Sequence, residues 1–109
     1  MDLSNIGKWK ISVLETGDFR LDGGAMMGSV PKVLWNKTNP ADNQNRIDLA
    51  LRCLLLDDGE KVVLIESGIG DHNSDKFMEM FKINQSENAL SNTLSNLDYS
   101  VKDITHVVL

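Results

Sequence analysis

Two histidines and one cysteine are the side chains of this 109-residue sequence best suited to metal or nucleophilic chemistry. His72 and His106 stand 34 positions apart (106 − 72) in different local contexts. A catalytic zinc centre draws on three protein ligands, commonly histidines, and keeps a fourth position open for water. The chain therefore offers no histidine-rich site of its own: His72 reads as a solvated loop residue and His106 as a residue on a strand face. Cys53 lies among Leu51, Leu54 and Leu55 and reads as a small buried hydrophobe rather than a nucleophile. As the only cysteine it excludes an internal disulfide. Two glycine-bearing stretches invite a phosphate-binding reading, Gly23-Gly24-Ala25-Met26-Met27-Gly28 and Gly68-Ile69-Gly70. A P-loop needs a Gly-Lys-Ser or Gly-Lys-Thr ending so that the lysine reaches the phosphates, and neither stretch has one. The dinucleotide fingerprint asks for a third glycine at position 73, which is Asn73.

The elements that would position these residues follow from polarity patterns. Lys8 to Glu15 alternates around Trp9, Ile11 and Val13, which predicts a strand burying that face, at an edge or on the outside of a sheet. Thr16 to Asn45 holds four glycines and both prolines with little periodicity, and predicts a long loop with brief extended pieces. Long loops within compact domains are usually functional, and Met26, Met27, Val30 and Trp35 would either line a pocket or pin the loop to the core. Arg46 to Asp57 places Ile47, Leu49, Leu51, Cys53 and Leu55 on one face, with Ala50, Leu54 and Leu56 on the other, as in a well-buried strand. Asp58-Gly59 signals a hairpin turn, leading to a central strand at Lys61–Ile65 that is covered on both faces and that Glu66 ends. Ser74 is placed to cap a helix carrying Phe77, Met80 and Phe81. Ser86, with Glu87 behind it, opens a second helix with Leu90, Leu94 and Leu97 at helical spacing. Asp103 to Leu109 returns to strand character. Strand, helices and strand in that order predict a parallel neighbour and a mixed sheet, so the fold class is α/β or α+β.

Composition narrows the function classes. The length allows one small domain, 41% of residues are hydrophobic and 25% charged, and the net charge is −5 from 16 acidic and 11 basic residues. The basic residues are scattered rather than striped, so no nucleic-acid partner is expected. The N-terminus lacks a signal-peptide pattern and no run of 18 apolar residues occurs, which gives the expectation of a soluble, cytoplasmic protein with no membrane partner.

Several segments in order carry a family resemblance. Val13-Leu14-Glu15-Thr16-Gly17-Asp18-Phe19, Leu21 to Met26 and Val30-Pro31-Lys32-Val33-Leu34-Trp35 resemble the opening of metallo-β-lactamase-fold hydrolases of the lactonase-like branch. Asn45-Arg46-Ile47 resembles the strand start that follows, Leu64-Ile65-Glu66-Ser67-Gly68-Ile69-Gly70 a Leu-Ile-Asp-Thr-Gly-Ile-Gly type motif, and Asp103 to Leu109 the strand that leads into the H-x-H-x-D-H metal motif. The resemblance covers roughly residues 8 to 109. It implies the N-terminal half of an αββα sandwich, a single partial domain over residues 1–109 that stops before the metal motif, with no catalytic or metal-ligating residue of its own. It further implies a full-length enzyme with two metal ions, usually zinc, whose bridging hydroxide attacks a small-molecule lactone or ester, because the metal lowers the pKa of bound water and polarises the substrate oxygen.

By the same resemblance, Glu66, Ser67 and Gly68 stand at positions that support the metal ligands from the outer shell, and Met26 and Met27 border the substrate pocket. Glu66 and Ser67 depart from the family's Asp-Thr, and the extra methylene of Glu66 would displace that support. Uncovered apolar sheet faces in half a sandwich predict low stability or self-association. Two other classes stay open at this stage, a non-catalytic interaction module or remnant and a nucleotide-binding domain using Gly68 and Gly70.

Overall fold

Alternating polarity builds the strands, and glycine or aspartate turns separate them. The computed structural model describes residues 2–109. In chain order the elements are β1 (Asp2–Ile6), β2 (Trp9–Asp22), α1 (Gly23–Met27), α2 (Lys32–Trp35), β3 (Arg46–Asp57), β4 (Val62–Ile65), α3 (Asp75–Met80), α4 (Ala89–Asn96) and β5 (His106–Val108), with a 3-10 turn at Val101–Asp103 before the last strand. They form one sheet in the order β1-β2-β3-β4-β5. β1 pairs antiparallel with β2, β3 antiparallel with β4, and β4 parallel with β5. This is the mixed sheet with helices that the sequence predicts. No helix among the described residues is long and apolar enough to cross a membrane. The chain divides into two compact units.

The first unit comprises the chain up to Gly17, Leu51–His72 and Gln85–Leu109. Its β3–β4 hairpin turns where expected. The Asp58 carboxylate accepts from the Glu60 and Lys61 backbone N–H groups at 2.9 and 2.6 Å, and Gly59 takes a φ of 93°, which a side chain would resist. Leu55 then faces Leu64 across the pair, and Leu64 faces Val107 of β5. Leu14, Cys53, Leu55, Leu64 and Leu94 are buried together, with Leu90, Leu97, Tyr99 and Ile104 packed around them. The predicted leucine stripe of α4 is thus the stripe that covers the sheet. Burying a leucine fully contributes about 1.5–3 kcal/mol, so these few residues hold the unit together.

Four expectations for this unit are corrected. The strand at Lys8 to Glu15 is not at an edge, because β1 pairs on its outer side, with Ile6 opposite Trp9. Its buried face is the other one: Ser12, Leu14 and Thr16 are buried, while Trp9, Ile11 and Val13 are only half-buried. Alternation defines two faces but not which one receives α4. The second helix begins at Ala89 rather than after Ser86. Asn88 precedes it in a left-handed conformation (φ 56°), and its side chain makes no capping bond. Away from α4, Leu54, Ile65 and Val108 share one cross-strand row and Leu56 and Val63 another. These residues are half-buried or exposed, so β4 is deeply covered on one face only.

The second unit comprises Asp18–Ala50 and Asn73–Asn84. Here the predicted loop from Thr16 is corrected, since β2 runs on to Asp22 and two short helices follow. The cause lies far away in sequence. Asp18 and Asn84 exchange two backbone hydrogen bonds at 2.9 and 2.8 Å, and the Arg20 N–H donates to the Phe81 carbonyl at 2.6 Å. Arg20 donates to the carboxylates of Asp42 (3.1 Å) and Asp48 (2.7 Å), and Asp42 also takes the Arg46 guanidinium at 2.9 Å. Arg46 in turn donates to the carbonyls of Glu79 and Met80 at the end of α3. Ser74 caps α3 as predicted, accepting from the Phe77 N–H at 3.2 Å. The Asp22 carboxylate caps α1 through the Ala25 N–H at 2.9 Å. Ile47 and Trp35 are the buried anchors. The Trp35 ring packs against Gly23, where a Cβ would stand only 2.4 Å from it.

Candidate functional site

In open α/β sheets ligands bind beyond the carboxyl ends of the strands, where the chain leaves the backbone ladder. β4 and β5 are the parallel pair, and their carboxyl ends meet where the Glu66 N–H donates to the Val108 carbonyl at 2.8 Å. The chain leaves β4 through three positive backbone angles, Glu66 (φ 69°), Gly68 (77°) and Gly70 (81°). Two are glycines, which adopt this region freely, but Glu66 carries a Cβ into it at a cost of about 1–2 kcal/mol. Such a residue persists only where its surroundings hold it. Here the bond to Val108 and the turn that follows do so.

The loop Ser67 to Asp71 walls a cleft of about 220 Å³ within the first unit. Thr16 forms part of its wall, and the opposite side is Gln85 with the start of α4 from Asn88 to Ser91. The Gln85 amide donates to the Gly70 carbonyl at 2.5 Å and fixes the loop. Thr16, itself buried, donates its hydroxyl to the Leu51 carbonyl at 3.3 Å. Beneath, the Gly68 N–H bonds the Cys53 sulfur. Burial nevertheless raises the Cys53 thiol above its ordinary pKa, with the Glu66 carboxylate adding to the rise and the Gly68 bond opposing it. A thiol so placed is a poor nucleophile, in keeping with the structural role expected of it.

The lining supplies hydroxyls, side-chain amides and one carboxylate, Asp71, but neither lysine nor arginine. It suits a polar group of low charge better than a phosphate, and so gives the nucleotide reading no support. Ser67 and Ser91 have no histidine among the lining residues to activate them, which leaves no nucleophile and base pair of the kind acyl transfer requires. Among the described residues no three His, Cys, Asp or Glu side chains gather where they could hold a metal ion. The described residues of this chain therefore do not fit a catalytic metal centre by themselves.

The residues picked from the sequence are dispersed. Ser67 and Gly68 line the cleft, whereas Glu66 ends β4 beside it with its side chain in solvent. Met26 and Met27 sit on α1 in the second unit, Met26 exposed and Met27 half-buried, and neither lines the cleft. His72 is exposed in the loop after Asp71, and His106 is exposed on β5 with Nδ1 at 2.8 Å from the Thr105 hydroxyl. Sequence reasoning missed Thr16, Gln85, Asn88 and Ser91. One signal was present for Thr16: it follows Ser12 and Leu14 in the period-two series, so that two polar residues flank a leucine on one strand face. Nothing in the sequence joins them to Asn88 and Ser91.

Comparison with known proteins bears on the fold and on the chemistry. The crystal structure of a probable metal-dependent hydrolase from Staphylococcus aureus is similar to this chain with a TM-score of 0.85 and 34% sequence identity, over 94% of this chain and 37% of that one. The chain thus spans little more than a third of the length of that protein. No family model matches the sequence, and no curated protein matches it.

Proposed function

We propose that this chain is the N-terminal part of a metal-dependent hydrolase with the metallo-β-lactamase fold, in its lactonase-like branch, acting on a small-molecule lactone or ester. One observation carries the metal-dependent hydrolase part of this reading: 34% identity and a TM-score of 0.85 to a probable metal-dependent hydrolase across 94% of this chain. The ordered motifs from Val13 to Leu109 support the branch. The apolar sheet face away from α4, with Leu54, Leu56, Val63, Ile65 and Val108, supports one half of a two-layered αββα sandwich, since mixed and parallel strands with apolar residues on both faces are normally covered on both.

Two metal ions, with zinc the proposed identity, would be held by residues outside this chain. Its own part is positional: the end of β4, the turn Glu66-Ser67-Gly68 and the bond from Glu66 to Val108 would set the floor against which those ligands are oriented. The α1 segment with Met26 and Met27 would border the substrate. The buried free thiol of Cys53 accords with a reducing compartment, and the cytoplasm is the proposed location.

The test is to read the coding sequence past Leu109, express the extended protein, measure bound metal, and assay lactone and ester hydrolysis with and without a chelator. Two metal equivalents and turnover abolished by chelation are expected. A folded extended protein that binds no metal, or whose hydrolysis survives full metal removal, overturns the proposal.

A further inference from the structure

We draw no further inference here: the strongest candidate, the apolar sheet face away from α4 formed by Leu54, Leu56, Val63, Ile65 and Val108, has nothing in the structure seated on it, and its cover by a second layer is already contained in the proposed fold.

Discussion

Gly23→Ala should destabilise the second unit by an amount the structure sets. A Cβ at Gly23 would lie 2.4, 2.7 and 3.0 Å from three carbons of the Trp35 ring. Carbon atoms in contact prefer about 3.5–4.0 Å, so the ring must retreat by about 1 Å. Trp35 is only 5% exposed, and overpacking of this kind typically costs about 1–3 kcal/mol. Alanine returns up to about 1 kcal/mol through its better helix propensity, since Gly23 opens α1. The balance is a net loss of up to about 3 kcal/mol, which in a protein longer than this chain lowers Tm by roughly 2–4 °C per kcal/mol. The assay is thermal unfolding of the extended protein followed by circular dichroism, a signal that does not depend on Trp35. A double-mutant cycle with Trp35→Leu isolates the contact, because Gly23→Ala should become neutral or stabilising once the ring is gone. A Gly23→Ala protein that melts at or above the parent temperature would refute the steric reasoning.

Three further outcomes are expected. Leu94→Ala, at a fully buried position against Leu14, Cys53, Leu55 and Leu64, should cost about 2–5 kcal/mol in urea unfolding; a loss under 1 kcal/mol would mean that α4 does not seal the core. Asp42 is held well below the usual carboxylate range, first by the Arg46 backbone N–H and further by Gln44, Arg20 and the Arg46 side chain. A depressed folded-state pKa stabilises fully above the unfolded value near 3.8 and is lost as pH falls through the folded value. The stability difference between the parent and Asp42→Asn should therefore be flat from pH 7 to about pH 5 and shrink below that; a difference that grows on acidification would contradict the network. The 109-residue chain alone should self-associate through its uncovered apolar face, as read by light scattering, and Val63→Lys should reduce the association. A monomer at all concentrations with a sharp, reversible transition would count against half a sandwich.

The strands Arg46–Asp57 and Val62–Ile65, their Asp58-Gly59 turn, the Ser74 cap and the leucine stripe of α4 were legible because each rests on neighbours within a few residues. The candidate site was legible only as the glycine loop after β4. Its other wall comes from Thr16, Gln85 and the start of α4, and no local pattern connects positions so far apart in sequence. Met26 and Met27 were named by resemblance alone, and they lie on α1 in the second unit.

By itself the sequence determined a mixed sheet with helices, the burial of Cys53 and the lack of a histidine-rich site, since each of these follows from residue type and short-range period. Tertiary structure alone decided that Ser12, Leu14 and Thr16, not Trp9, Ile11 and Val13, face the core, because a period of two offers both faces equally until α4 settles on one. It also decided that residues 18–22 continue β2. Their backbone partners at Phe81 and Asn84 lie some sixty residues on, and closing so long a loop is an act of the whole fold rather than of the segment.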